Sequence, residues 1–321
     1  MKAPRILISA LAIGLMSGTA AAQSVGIGTG PAASLTNRIG AAIAKVLADE
    51  AGLKTRAVPH TSNSAHVPLV DKGMLAFGVN TTQQISAAVA GTDQFKGHAT
   101  KNFVIAARMA PLPVGTLVRK DSPFQTLRDL KGKRMTVGYT AQKTVRFILN
   151  AFFRNAGMTV DDVKGVPVPN TSSGAQLFLK GQVDGSLSSL GGARLRRAAA
   201  KVGGIRILGM FNTPEAVAAM RKGYPNSYLV QLKPGKRSIG VEKPIWVMAF
   251  DMVLMTSTKT SDEVVYQSVK ALYGSKAGLV KISPVFKRFD PKNMIPDYKG
   301  VKMHPGAIKF YSEVGLWPPK S

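Results

Sequence analysis

The sequence has 321 residues, no cysteine and a formal net charge of +26. The length allows one large domain or two medium ones, and the lack of cysteine excludes both a disulfide framework and a lipid-anchored cysteine. The positive residues lie in short separate groups without interleaved aromatic residues, which argues against a charged tail and against a nucleic-acid surface. Three interpretations of the charge stay open: a solvated basic surface, steering of an anionic ligand, and docking to an acidic partner or envelope polymer.

Residues 1–22 have the pattern of a cleavable export signal. Lys2 and Arg5 precede the apolar run from Ile6 to Met16, and small residues then allow cleavage after Ala22. The apolar run is shorter than the roughly 20 residues that a membrane anchor needs. We therefore expect a soluble, freely diffusing mature chain in the periplasm of a double-membraned bacterium.

A βαβαβ pattern begins directly after the signal. Residues 25–29 form a predicted strand, and apolar residues at helical spacing predict a helix that ends near Ala51, with Pro31 at its first position. Strands are predicted over 54–59 and 75–79, with the polar loop 60–64 and a short helix between them. Consecutive βα units of this kind predict a parallel sheet with helices on its faces.

A second block repeats this order of elements. Strands are predicted over 134–138, 163–168 and 183–188, and a helix that ends at Gly157 follows the polar loop 139–144. The loop Thr61-Ser62-Asn63-Ser64-Ala65 corresponds to Thr171-Ser172-Ser173-Gly174-Ala175 in the second block. The repetition predicts two lobes of like topology.

The remaining segments are predicted to connect the two lobes. The extended stretch 103–118 crosses to the second lobe, and the strand 205–211 crosses back. A strand over 246–255 and a helix over 261–273, capped by Ser261, then rejoin the first lobe. The predicted fold class is α/β, with a mostly parallel sheet flanked by helices in each lobe and a hinged cleft between them. The predicted first lobe comprises 23–118 and 212–321, and the second comprises 119–211.

Several short segments in the same order resemble one family along nearly the whole mature chain. They are Ile27-Gly28-Thr29-Gly30, Asp129-Leu130-Lys131-Gly132-Lys133-Arg134, Lys180-Gly181-Gln182-Val183-Asp184-Gly185, Asp262-Glu263-Val264-Val265-Tyr266 and His304-Pro305-Gly306-Ala307-Ile308-Lys309-Phe310-Tyr311. This set resembles the TAXI family, the TRAP-associated extracytoplasmic solute receptors. The resemblance implies a type II periplasmic-binding-protein fold, a partner permease driven by an ion gradient, and small carboxylates as ligands.

Polar and glycine-rich segments follow the predicted strands, at the carboxyl ends where open α/β sheets bind ligands. Glycines after the first strand would let backbone N–H groups approach an anion, and Lys143 would add a positive charge to the facing loop. The expected ligand-binding residues are Gly28, Thr29, Gly30, Ser34, Ser62, Asn63, Asn80, Thr81, Tyr139, Thr140, Gln142, Lys143, Thr144, Ser172, Ser188 and Ser189. The alternative at each position is a plain turn or a helix cap.

The chain shows little sign of catalysis, of a cofactor or of a metal. Gly28, Gly30 and Ala33 fit a dinucleotide fingerprint, but Pro59 and His60 stand where that motif needs an acidic residue. The four histidines are not joined by a cluster of Asp or Glu, and neither a nucleophile elbow nor a metalloprotease helix is present. We expect a monomeric receptor that is not an enzyme, has no cofactor and captures a small organic anion for a TRAP permease. The alternatives are an envelope sensor or interaction protein that acts through its basic surface, and an enzyme on the same two-lobed scaffold.

Overall fold

The structure is a computed structural model that describes residues 25–32, 34–191, 193–235, 238–295, 298 and 300–319. The predicted signal peptide over 1–22 and the fingerprint residue Ala33 lie outside the described residues. Among the residues described, no helix has the length and the apolar character needed to span a membrane.

The described chain contains ten strands and ten α-helices. The strands are β1 (Val25–Thr29), β2 (Thr55–Pro59), β3 (Phe77–Thr81), β4 (Phe103–Arg119), β5 (Arg134–Gly138), β6 (Lys164–Val168), β7 (Gly185–Ser189), β8 (Ile205–Leu208), β9 (Tyr228–Leu232) and β10 (Ile245–Ser257). The helices are α1 (Leu35–Ala51), α2 (Val67–Asp71), α3 (Thr82–Ala90), α4 (Lys143–Asn155), α5 (Thr171–Leu179), α6 (Ala193–Lys201), α7 (Pro214–Gly223), α8 (Asp262–Gly274), α9 (Lys276–Ile282) and α10 (Pro305–Glu313).

The strands form one mixed sheet with two parallel regions. Its order is β2-β1-β3-β10-β4-β7-β5-β6, with β8 paired to β4 and β9 paired to β10. β1 runs parallel to β2 and β3, and β5 runs parallel to β6 and β7. The long strands β4 and β10 are antiparallel and lie between the two parallel regions. The predicted α/β fold with two like βαβαβ blocks is confirmed, and the crossing strands join the blocks into a single sheet.

Separate hydrophobic cores lie on either side of the crossing strands. The first core contains Ile105 from the start of β4 and Leu254 from the end of β10, packed with α1, α8 and α10. The second contains Val118 from the end of β4 and Phe250 from the middle of β10, packed with α4 and α7. We call these halves the first lobe and the second lobe. Because each crossing strand contributes to both cores, β4 and β10 are the covalent and hydrogen-bonded link between the lobes.

Helix α7 packs on the second lobe. Asn155 of α4 donates to the carbonyls of Phe211 and Ala216 at 2.9 and 3.1 Å and accepts from the Phe211 N–H at 2.8 Å. Met220 of α7 lies in the second core. The predicted division at residue 211 stays a prediction, and this packing favours a later return to the first lobe.

Several element ends differ from the sequence prediction. Helix α1 begins at Leu35 rather than at Pro31, because the Ser34 hydroxyl caps it by accepting from Asn37 N at 3.2 Å. Strand β3 ends two residues later than predicted, so that it contains Asn80 and Thr81. Asn170 caps α5, which places Ser172 in a first helical turn rather than in a loop. The predicted cap of α8 is present, since Ser261 Oγ accepts from Val264 N at 3.3 Å.

Candidate functional site

A hydrogen-bonded rim surrounds the carboxyl ends of β1 and β3 in the first lobe. Thr36 Oγ1 accepts from Gly30 N at 3.2 Å and donates to Asn63 Oδ1 at 2.9 Å. The Asn63 carbonyl in turn accepts from Asn80 Nδ2 at 2.7 Å. The structure therefore brings Gly30, Asn63 and Asn80 together, through a threonine that the sequence did not single out.

The two glycines of the first loop make room for neighbouring side chains. A Cβ at Gly28 would lie 2.7 Å from the Cβ of His66, and a Cβ at Gly30 would overlap Asn63 Oδ1. Because the Gly30 N–H is already bonded to Thr36, this loop does not offer that group to an anion. The packing accounts for both glycines without a ligand.

The other predicted residues of this rim also have internal partners. Thr29 is fully buried; its hydroxyl accepts from Asn37 Nδ2 at 3.0 Å and donates to the Gly30 carbonyl at 3.1 Å. Ser34 caps α1, and the hydroxyl of Ser62 bonds that of Ser64 at 3.1 Å. These hydroxyls hold the rim in shape.

Tyr139 differs from the expectation of a ligand-facing side chain. The residue is fully buried in the core of the second lobe, with a left-handed φ of 46°, and its hydroxyl bonds that of Thr136. Burial raises the pKa of Tyr139 to about 12, so the ring stays neutral. Its side chain supports the second lobe from within.

The second-lobe loop is otherwise exposed, and it reaches the first lobe at one residue. Thr140, Gln142 and Lys143 are exposed, and Gln142 Oε1 accepts from the backbone N–H of Thr171 at 2.9 Å. Thr144 Oγ1 accepts from Gln84 Nε2 at 2.8 Å. Thr144 follows β5 and Gln84 follows β3, so the carboxyl ends of the two parallel regions meet at this bond.

Ser188 and Ser189 lie where β7 ends, and Ser172 is exposed on α5. The two β7 serines line a cavity of about 50 Å³ together with Thr171 and the apolar side chains of Leu117 and Phe178. The cavity lies within the second lobe, between β7, α5 and α6.

One further bond among the described residues crosses the seam between α3 and the second lobe, and another fixes a side chain at the seam. Asn226, in a left-handed conformation with φ 60°, donates through Nδ2 to Ser86 Oγ at 2.9 Å. Gln94 Nε2 donates to Gln84 Oε1 at 2.6 Å and so fixes the amide that reaches Thr144. The two lobes are therefore in direct contact along α3.

Buried polar atoms without hydrogen bonds gather at the start of α3. The hydroxyls of Thr81 and Thr82 and the amide oxygen of Gln83 have no partner, and Tyr224 presents a fully buried hydroxyl that is also unbonded. Thr82, Gln83 and Tyr224 were not among the predicted residues. The polar run after β3 was a signal for the first two, whereas no pattern in the sequence marks Tyr224.

An ion pair with two tyrosines lies on the crossing strands. Arg108 Nε of β4 is 3.0 Å from Asp251 Oδ1 of β10. Tyr228 and Tyr298 each donate a hydroxyl to the Asp251 carboxylate at 2.6 Å. Burial and the nearby Asp251 charge raise the pKa of both tyrosines. Asp251 therefore joins β4, β9, β10 and the C-terminal segment.

The described residues include no group of three His, Cys, Asp or Glu side chains able to hold a metal. His60 and His66 have ring centroids 5.7 Å apart. Burial, together with His60, lowers the pKa of His66 to about 3, so this ring is neutral. His304 caps α10 through Nδ1, which accepts from Gly306 N at 3.1 Å.

Comparison with known proteins places this architecture among the periplasmic binding proteins. The periplasmic aliphatic sulphonate binding protein SsuA from Escherichia coli is 15% identical, with 92% of this chain and 89% of that chain covered and a TM-score of 0.52. A TctC solute binding protein from Polaromonas is 16% identical, with coverages of 91% and 98% and a TM-score of 0.53. The sulfonate-binding SsuA from Methylobacillus flagellatus is 15% identical, with coverages of 92% and 88% and a TM-score of 0.52.

The family follows from the sequence itself. The model of the NMT1-like family matches residues 27–315, nearly the whole described chain. The chain belongs to the NMT1-like family.

Proposed function

We propose that this protein is a periplasmic solute receptor that captures a small organic anion, a carboxylate, between its lobes and hands it to a membrane permease. The observation that carries the proposal is the Gln84–Thr144 bond, where the polar carboxyl ends of β3 and β5 meet. Ligands of open α/β sheets bind at this edge. Two such edges that face each other across a hinge form a site that closes around its cargo.

The crossing strands supply the hinge. β4 and β10 run between the two cores, and their pairing shifts register at Met252–Val253 and again at Leu254–Met255. Irregular pairing of this kind bends and twists a strand locally. A solute that binds the closed form more tightly than the open form shifts the population toward closure, and the closed form is the signal for the permease.

The charge of the chain supports an anionic cargo. The net charge of +26 draws anions toward the molecule. Two of the proteins that share the fold are described as sulphonate-binding, and sulphonates are anions as well. The neutral hydroxyls and amides at the seam suit a small solute with a single charged group, and the described residues there show no nucleophile paired with a base, which favours binding over catalysis.

A thermal-shift assay tests the receptor function. The mature chain is heated with short monocarboxylates, dicarboxylates, sulphonates and amino acids. A ligand at 100 times its dissociation constant adds about 2.7 kcal/mol to the free energy of unfolding, which raises Tm by about 4 °C for a chain of this size. A flat Tm across all organic anions, with a rise for a neutral or cationic solute, would contradict the anion assignment.

The permease is proposed to be of the TRAP type, on the resemblance to TAXI receptors. The Methylobacillus flagellatus protein is described with a sulfonate ABC transporter. An ion gradient drives a TRAP permease and ATP drives an ABC transporter, so the experiment compares these two energy sources. Uptake of the identified solute is measured in cells with and without this protein. We expect receptor-dependent uptake to stop when an ionophore collapses the ion gradient. Uptake that survives the ionophore and stops on ATP depletion would exclude a TRAP partner.

A further inference from the structure

The first turn of α3 is unusually rich in buried donors that are left unbonded. α3 has nine residues, and its N-cap residue, Thr81, makes no side-chain capping bond. Thr81 is 7% exposed and Thr82 is fully buried, yet neither hydroxyl has a partner. The N–H groups in the first turn of a helix have no partner within the helix, and together they favour a negative charge.

The hydroxyl of Tyr224, from the second lobe, lies close to the first turn of α3. Tyr224 follows α7 and stacks on Phe250, with ring centroids 4.9 Å apart. Asn226, two residues further on, donates to Ser86 of α3 at 2.9 Å, which brings this segment against α3. Burial raises the pKa of the Tyr224 phenol, while Thr81, Thr82 and the Gln83 backbone lower it, yet the hydroxyl has no partner with hydrogen-bond geometry. Leaving a buried polar group unbonded costs free energy, so donors from both lobes are gathered here at a cost to stability.

We propose that these groups form an oxyanion subsite, here called the α3 subsite, which consists of Thr81, Thr82, the Gln83 backbone N–H and Tyr224. The proposal deepens the receptor function and rests on it. The subsite holds the carboxylate of the captured solute, and Tyr224 closes over it from the second lobe. Because burial raises the pKa of the Tyr224 phenol, its hydroxyl remains a donor throughout the ordinary pH range.

The charges around the subsite select a solute with one anionic group. The donors themselves are neutral, and a helix N-terminus carries only about half a positive charge. Arg108 of β4 is already paired with Asp251 at 3.0 Å, so its positive charge is not free to bind a second carboxylate. We therefore assign a monocarboxylate rather than a dicarboxylate.

Isothermal titration with matched acids tests the subsite. The probes are short monocarboxylates, propionate among them, the corresponding dicarboxylates such as succinate, and the uncharged amide propionamide. We expect the wild-type chain to bind a monocarboxylate at least tenfold more tightly than its dicarboxylate partner and to ignore the amide. Tighter binding of the dicarboxylate would overturn the assignment of a single anionic group.

Two conservative variants locate the binding. Tyr224→Phe and Thr82→Val each remove one donor to a charged group, so each is expected to weaken monocarboxylate binding about tenfold or more. The stability of the ligand-free chain should not fall, because both hydroxyls are unbonded in it. Ser268→Ala is the matched control, since Ser268 also has a fully buried, unbonded hydroxyl but lies on α8 in the first lobe.

The outcomes separate the two proposals. If no organic anion binds the wild-type chain, the receptor function fails and the subsite fails with it. If an anion binds and both variants bind it as tightly as Ser268→Ala does, the receptor function stands and the α3 subsite is wrong. Weakened binding in both variants, with unchanged binding in the control, supports the subsite.

Discussion

At the scale of single residues, one buried carboxylate holds several strands together. Asp251 is 2% exposed and is paired with Arg108 at 3.0 Å, while Tyr228 and Tyr298 donate to its two oxygens. A buried ion pair of this kind is poor evidence of net stabilisation, but removing one partner leaves the other charge buried and uncompensated. The network therefore makes the crossing strands sensitive to one substitution.

We predict that Asp251→Asn lowers the free energy of unfolding by about 3–5 kcal/mol, because Arg108 is then left without its partner charge. Chemical denaturation of the ligand-free chain measures the loss. Asp49→Asn is the control, since the Lys45–Asp49 pair is exposed and surface pairs contribute little. Equal, small effects of the two substitutions would show that the network does not stabilise the fold.

A second prediction concerns His66, whose pKa is lowered to about 3 by burial and by His60. Between pH 6.5 and 3 the unfolded chain binds a proton at this position that the folded chain does not, so stability falls as the pH falls through that window. His66→Gln should reduce the slope of unfolding free energy against pH by up to about 1.4 kcal/mol per pH unit.

Denaturation curves at several pH values between 4 and 7 give the two slopes. Slopes are compared rather than absolute stabilities, because the substitution also changes packing against Gly28 and Gly78. His98, which is exposed, supplies the control variant His98→Gln. An unchanged slope for His66→Gln would mean that His66 is protonated in the folded protein.

Residue types and their spacing predicted part of the candidate site. Asn63, Asn80 and Thr144 were expected because polar residues follow strands, and all three make bonds along the rim or the seam. Tyr139 was expected for the same reason, but a left-handed backbone turns its ring into the core. Tyr224 gave no local signal, because only the long-range packing of α7 on α4 brings it to α3.

At the scale of elements, the contact between α4 and α7 fixes the second lobe. A Cβ at Gly223, the last residue of α7, would lie 2.8 Å from the backbone of Ala151. Backbone cannot move aside as a flexible side chain can, so the two helices must separate to admit a methyl group. Overpacking of this kind costs about 1–3 kcal/mol.

We therefore predict that Gly223→Ala lowers the unfolding free energy by about 1–3 kcal/mol. Gly274, the last residue of α8, has no neighbouring atom within 4 Å of its would-be Cβ, so Gly274→Ala should be neutral or slightly stabilising. Denaturation midpoints of the two variants give the comparison. A loss in Gly274→Ala as large as that in Gly223→Ala would show that the contact between α4 and α7 is not the cause of the loss at Gly223.

The elements themselves were largely predictable, since their periodicity is a local property. β1, β5 and the crossing strand β4 lie where apolar runs placed them. Helix starts depended on capping side chains, and the start of α1 moved from Pro31 to Leu35 because Ser34 provides the cap. The helices α3, α6, α7, α9 and α10 were not predicted. Each has ten residues or fewer, and helices this short are stabilised mainly by the lobes they pack on.

At the scale of the whole molecule, two hydrogen bonds connect α3 to the second lobe. They join Gln84 to Thr144 at 2.8 Å and Asn226 to Ser86 at 2.9 Å. A neutral hydrogen bond contributes about 1 kcal/mol, which is roughly a fivefold change in an equilibrium. Each bond therefore has a measurable effect on the balance between open and closed lobes.

We predict that Thr144→Val shifts the ligand-free chain toward the open form and weakens ligand binding by roughly fivefold, because the closed form loses one bond. Small-angle X-ray scattering should show a larger radius of gyration than that of the wild-type chain. Gln267→Ala, on the exposed face of α8 where Gln267 bonds Glu263 at 2.6 Å, should leave both values unchanged. A radius of gyration equal to that of the wild type would show that the bond does not hold the lobes together.

The βαβαβ pattern predicted two lobes because it occurs twice in the sequence. It could not predict how closely the rims approach, since the seam is made by side chains far apart along the chain, such as Gln84 and Thr144. The geometry of the seam is a property of the whole molecule and not of either block alone.

The most direct test of the receptor function is native mass spectrometry of the mature chain released from cells without denaturation. We predict one small organic monoanion bound per chain, absent after denaturation and replaced on incubation with an excess of a related monocarboxylate. A chain that carries no solute, and that acquires none when incubated with monocarboxylates, dicarboxylates or sulphonates, would contradict the central claim that its lobes close around an organic anion.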